Sequence, residues 1–363
     1  MKKITLLVFV IATTIFTTQA GLKRVGYSGA QITGVDFTSL QAANNDAGTL
    51  AGDTIQVYPG YSGGSLTQTK RLIIIGIGYL TAGTNANTNL NVLATQNPID
   101  ITTVVYNSTS SAVSGSEYYG VTLNFQLFGN IGASINNITV QRCRLAGITQ
   151  LSSPSGCSIS NFKIKQCLFV GSANASPITF QNCLIENCLL TGTSFFNTNA
   201  FNIASTFYIK NCNYTTNLGF SNTFDFGSFS ILAENCIFQS NSFNGYSNTT
   251  FNNCFLTNGT RLPLVPAVSG TNNIFNVDAD NGNVFVGYPT QSTFSNDGRF
   301  VLKAGSPAIA AGTGSVDCGV FGNTNPYKLS GIPATPAFYR LNAPSTNTST
   351  NPYQITFSVR SNN

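Results

Sequence analysis

The sequence predicts an all-β chain wound into a right-handed parallel β-helix, a solenoid with a short N-terminal capping helix. Two observations carry this. The first is a repeat between Asn137 and Leu256: an apolar residue, a polar residue, Asn or a substitute, Cys, any residue, then a large apolar residue. Ile185-Glu186-Asn187-Cys188-Leu189-Leu190 and Ile209-Lys210-Asn211-Cys212-Asn213-Tyr214 are two of its six copies. Its cysteines, Cys143, Cys167, Cys188, Cys212, Cys236 and Cys254, are separated by 24, 21, 24, 24 and 18 residues. A repeat of this length with strand-like alternation marks a solenoid whose coils touch only their neighbours. The second is composition. Charged residues are 8% of the chain, with 34 Gly, 27 Phe and no Trp or His. Disordered chains are charged and poor in aromatics, so this composition fits many short strands joined by uncharged polar turns.

Within each repeat, Asn187, Asn211, Asn235 and Asn253 occupy the bend. Asn tolerates the left-handed backbone that a tight bend needs, and stacked Asn side chains can hydrogen-bond up a column. An asparagine ladder is therefore expected. The period of two then turns Cys inward, the next residue outward and Leu, Phe or Tyr inward. The six cysteines become a core column of free thiols acting as small apolar residues, because stacked side chains point the same way and bridge poorly. Cys157, Cys183 and Cys318 lie off this column, and a bridge between the first two is open.

Taken in order, residues 1–20 read as a secretory leader: Lys2 and Lys3, an apolar run from Ile4 to Ile15, and small residues at Thr18-Gln19-Ala20. The apolar run is short for a membrane span, so no span is expected after cleavage. Loss of the two lysines lowers the formal charge from +5 to +3. That charge, without a basic cluster, argues against nucleic acid. Residues 21–51 form an N-terminal segment in which Asp36 caps a short helix carrying Phe37, Leu40 and Ala43 at helical spacing. The helix would cover the open end of the first coil. Residues 52–331 are assigned to the β-helix, about a dozen coils at ~4.8 Å each. Residues 332–363 form an extended tail with one strand, Gln354–Arg360, which needs a partner either on the helix or on another molecule.

Ala51-Gly52-Asp53-Thr54-Ile55-Gln56-Val57-Tyr58-Pro59-Gly60 and Lys70-Arg71-Leu72-Ile73-Ile74-Ile75-Gly76 are two short strands closed by Gly and Pro turns. These segments, with the Asn-Cys repeats, resemble the secreted bacterial parallel β-helix proteins of the pectate-lyase-like superfamily. Residues 302–321, from Leu302-Lys303-Ala304-Gly305 to Asp317-Cys318-Gly319-Val320-Phe321, look like that family's last coils. The resemblance implies the fold and an extracellular setting. Polysaccharide chemistry is common in that family, but the matching residues are scaffold. Thr223-Phe224-Asp225-Phe226-Gly227 is similar to the Asp-bearing strand of pectin methylesterases without its companion residues. With no His, the Gly-His-Gly element of polygalacturonases is missing.

Four cations are candidate ligand-binding residues for an acidic polysaccharide or cell-surface glycan: Arg142, Arg144, Lys165 and Lys210. Lys165, Glu186, Lys210 and Glu234 share one outward column with alternating sign. That alternation suits inter-strand ion pairs, while a lysine there can also serve as the base of a lyase. Asp278 and Asp280 are the one close carboxylate pair. They admit three readings: a turn into the next strand, a calcium site lacking the full loop spacing, or an inverting carboxylate pair. The outward position after Cys holds Arg144, Leu168, Leu189, Asn213, Ile237 and Phe255. Four apolar residues in an outward column mean cover by the chain's own turns, contact with a protein partner, or a wrong register. The expectation is a secreted, non-catalytic glycan-binding or adhesion module, with a polysaccharide lyase or related carbohydrate enzyme as the alternative.

Overall fold

The computed structural model describes residues 20–26, 34–79, 100–106, 111–127, 134–150, 157–174, 178–191, 202–203, 207–215, 223–225, 230–239, 242–244, 249–257, 269–275, 283–288, 294–342 and 355–361. It is a parallel β-helix. Sheet I stacks ten parallel strands, from Leu22–Val25 and Thr54–Val57 through Thr139–Gln141, Lys163–Lys165, Leu184–Glu186 and Phe207–Lys210 to Thr249–Asn252. Sheet II stacks ten more, from Ser65–Thr67 to Ile274–Phe275. A third side is built by Ser134–Asn136, Ser158–Ser160, Thr179–Gln181 and Asn202–Ile203, and further along by Thr223–Asp225 with Ser242–Asn244. Ten strands at ~4.8 Å make a rod of about 43 Å.

The repeat explains why each sheet I strand is only three or four residues long. In the central coils both ends are fixed by left-handed residues. Asn137, Asn161 and Asn182 precede their strands with φ of 57°, 55° and 51°. Arg142, Gln166, Asn187, Asn211, Asn235 and Asn253 follow theirs with φ between 48° and 54°. Asn accepts this conformation at little cost, whereas most side chains clash there. The predicted bend thus forms at every repeat.

Register places Tyr118, Val140, Ile164, Ile185, Ile209, Ala233 and Phe251 in one inward column of sheet I. Leu123, Leu145, Phe169, Leu190, Tyr214, Phe238 and Leu256 face them from sheet II, all buried. Between the two runs the cysteine column. All nine cysteines are free and buried. The sulfur does more than fill space. The N–H groups of Cys143, Cys167, Cys188 and Cys212 each donate to the sulfur of the next coil's cysteine at 3.4 Å. Each thiol in turn approaches the carbonyl two residues before it, as Cys212 does with Lys210 at 3.2 Å. At the far end Asn273 replaces the sulfur, its Oδ1 accepting from Cys254 N–H at 3.0 Å. Burial pushes the Cys167, Cys212 and Cys254 thiols up, which keeps them protonated.

The capping helix runs Leu40–Asn45, with Leu40, Ala43 and Asn44 buried. Its N-cap is Ser39, which accepts from Ala42 N–H at 3.1 Å. Asp36, the expected cap, instead accepts from Arg24 N–H at 2.7 Å and blunts the edge of sheet I. Asn44 and Gln41 bond to Thr67 and Thr69, covering the first strand of sheet II. Ser39→Ala is expected to cost about 1 kcal/mol, readable as a lower midpoint in chemical denaturation.

Two departures from expectation concern the C-terminal third. Residues 302–321 add no coil. Together with 283–288, 294–301 and 322–333 they form a strap on the outward side of sheet II. Its bridge, Phe285 with Leu302, is antiparallel. The last strand, Thr356–Arg360, pairs antiparallel with Ala337–Asn342. The pairing that a lone strand lacks is supplied by the chain itself.

Candidate functional site

The strap decides which faces of the rod a ligand can reach. On sheet II the outward residues Leu168, Leu189, Ile237 and Phe255 are buried with Val284, Phe285, Tyr288, Phe300, Val320 and Tyr327 of the strap. Asn213, in the same column, accepts from Val320 N–H at 3.2 Å. The register expected from the sequence holds, and the apolar column is covered from within. Of the three readings of this column, cover by the chain itself is the one the packing supports.

The bend column is also committed to the strap. Asn187 Nδ2 donates to the carbonyls of Val320 and Gly322 at 3.0 and 2.9 Å. Asn211 Nδ2 donates to Asp317 O at 3.5 Å. Asn235 Oδ1 accepts from Thr313 N–H at 2.9 Å, and Asn253 Nδ2 donates to Thr313 Oγ1 at 2.8 Å. The expected asparagine ladder is therefore replaced here by bonds to a crossing chain. A stacked pair does occur at the preceding bend, where Asn161 Nδ2 donates to Asn137 Oδ1 at 3.1 Å. The physical reason is competition. A strap carbonyl buried against the bend needs a donor more than a neighbouring amide does.

Arg142 belongs to the same system. Its side chain is buried, with Nη1 on Ile332 O and Nε on Gln166 Oε1, both at 3.0 Å. Burial lowers the pKa of its guanidinium from the usual value. It fastens the strap and is not free to meet a glycan. Arg144 is half-buried on the outward side of sheet II, in register with Thr122 and Leu168. Lys165 and Lys210 lie on the outward face of sheet I, two coils apart. The four candidate cations do not converge.

The outward face of sheet I carries two columns. One runs Tyr119, Gln141, Lys165, Glu186, Lys210, Glu234 and Asn252. Lys165 pairs with Glu186 at 3.0 Å and Lys210 with Glu234 at 3.4 Å. This is the ion-pair arrangement that the alternating signs suggested. Such partly exposed pairs contribute roughly 0–1 kcal/mol each. The other column runs Glu117, Thr139, Lys163, Leu184, Tyr208, Leu232 and Thr250. Sequence reasoning missed it. Tyr208 is 37% exposed, and Lys210 Nζ sits 6.0 Å from its ring centroid. Lys163 is exposed and makes no ion pair among the described residues. Aligning the residue two before the paired column would have found Lys163, Leu184, Tyr208 and Leu232 together.

Asp278 and Asp280, the calcium candidates, lie outside the described residues. Among the described residues no group of three or more His, Cys, Asp or Glu side chains is placed to hold a metal. No described helix is long and apolar enough to cross a membrane.

Fold and faces together define a parallel β-helix protein with one side closed by its own C-terminal strap and sheet I carrying a mixed polar and apolar outward face. No protein-family model, curated protein or solved structure matches the chain.

Proposed function

We propose that the protein is an extracellular β-helix that binds a glycan along the outward face of sheet I without transforming it. The observation that carries this is the second outward column. Exposed Tyr208 is flanked by half-buried Leu184 and Leu232, with paired ammonium and carboxylate groups beside it. A tyrosine ring offers an apolar face for a sugar ring and a hydroxyl at its rim. The neighbouring charges can bond sugar hydroxyls, and the ~4.8 Å strand spacing lets one motif repeat along an extended chain. The leader-like residues 1–20 and the resemblance to the pectate-lyase-like superfamily support an extracellular polysaccharide as the ligand class.

The alternative is a lyase on acidic polysaccharide with Lys210 as base. It is the weaker reading because Lys165 and Lys210 already have carboxylate partners, while Arg142 is buried at a bend against the strap and Arg144 lies on sheet II. The test is titration of the purified protein with pectin, alginate and glycosaminoglycans, followed by calorimetry and by ultraviolet absorbance of unsaturated products. Binding without product is expected, and Tyr208→Ala should weaken it about tenfold, or ~1.4 kcal/mol. Binding indifferent to Tyr208→Ala would overturn the reading. Product that disappears in Lys210→Ala would replace it with the lyase.

A further inference from the structure

The strap contains a carboxylate at the point where it meets itself and the rod. Asp297 is completely buried. Its Oδ1 accepts from Ser295 Oγ at 2.7 Å, and its Oδ2 accepts from Ser330 N–H at 2.7 Å and from Tyr327 OH at 3.2 Å. Tyr327 OH also meets Tyr79 OH, and Tyr79 N–H donates to Ser330 O at 2.9 Å. One side chain thus joins the turn at Gly298–Phe300, the end of the strap and a residue of the β-helix.

No cation neutralises it among the described residues. Arg299, on its own turn, spreads its guanidinium over Phe300 and Tyr288, 4.9 and 5.5 Å from their centroids. Lys328 and Arg142 are the cations near the end of the strap, and Arg142 is spent on Ile332 and Gln166. From the rod the remaining titratable groups on this side are Tyr79 and the thiols of Cys143 and Cys167.

We propose that Asp297 makes closure of the strap proton-dependent, holding residues 327–333 hardest when its carboxyl is protonated and loosening them as it ionises. A buried charge without a counter-charge is costly even when hydrogen-bonded. Burial raises the Asp297 pKa, and the bonds from Ser330, Ser295 and Tyr327 only partly oppose it. A folded-state value above the unfolded one stabilises fully below the ordinary carboxylate range and is lost as pH rises through the raised value. Burial also raises the Tyr79 and Tyr327 hydroxyls far above that range, so Asp297 is the member that titrates. Loosening would uncover Leu168 and its neighbours on sheet II. The inference does not depend on what sheet I binds.

Amide hydrogen exchange of Tyr327, Ser330 and Gly331, expressed as protection factors from about pH 4 to about pH 8, tests it. Protection should fall about tenfold for each unit by which the Asp297 pKa exceeds its ordinary value. The amides of Ile185 and Ile209 in sheet I should hold theirs. Asp297→Asn should abolish the slope. Should that variant fail to fold, Tyr327→Phe removes one donor from the carboxylate and should steepen it. A strap whose protection tracks sheet I across this range, an Asp297→Asn variant that keeps the wild-type slope, or a Tyr327→Phe variant with an unchanged slope would each overturn the proposal.

Discussion

Cys212→Lys is expected to prevent folding, whereas Cys212→Ala should leave a folded but weakened protein. Cys212 is completely buried between the two main sheets, among apolar side chains. Among the described residues the core around it holds no carboxylate to pair with an ammonium, and an unpaired buried charge costs several kcal/mol, about as much as a domain's whole stability. Alanine removes the sulfur and with it the acceptor for Cys188 N–H. An unsatisfied buried amide and a small cavity together cost about 2–3 kcal/mol. Cys212→Ser keeps an acceptor at that place and should fall between alanine and wild type. Circular dichroism and urea denaturation of the three variants give the order. Equal stability of the lysine and alanine variants would mean that the cysteines do not face inward.

Gly331→Ala is expected to unseat the end of the strap. Gly331 has φ of 60°, and an added Cβ would land on the Tyr79 ring and within 2.6 Å of the Arg142 carbonyl oxygen. The backbone oxygen belongs to a bend held by sheet pairing, and the Tyr79 hydroxyl is held by Tyr327. Neither neighbour can give way cheaply. Backbone strain and overpacking together should cost about 3 kcal/mol. The loss should appear as binding of a hydrophobic dye to the uncovered sheet II, with the far-ultraviolet spectrum of the rod retained. No dye binding and no change in stability would show that the end of the strap is not seated as described.

The rod was legible in the sequence because its signals are local and repeated. Asn before Cys gives the bend, alternation gives the inward columns, and the steps between cysteines give the coil. The strap was not legible, because Leu302–Phe321 has the Gly- and Pro-rich punctuation of a coil and its true position depends on contacts with residues 60 to 133 positions away. The apolar outward residues Leu168, Leu189, Ile237 and Phe255 were the clue that something covers sheet II. Arg142 was misread for the same reason. A charged residue at a bend looks solvent-facing until a second chain segment is laid over it. Tyr208 was missed because the repeat was aligned only on its paired column.

In a plain solenoid each coil touches the next, so the structure can fray from either end one coil at a time. The strap changes that arithmetic. It descends across the coils of Asn253, Asn235, Asn211, Asn187, Gln166 and Arg142, bonding to each in turn. Peeling the last coil away requires lifting a segment anchored several coils below, so six neighbours are made to yield together. It also sets a length standard. One coil more or fewer between Arg142 and Asn253 would bring the strap's bonding groups to the wrong side chains, so the span from Thr313 to Ile332 acts as a ruler against which the number of coils in that stretch is set.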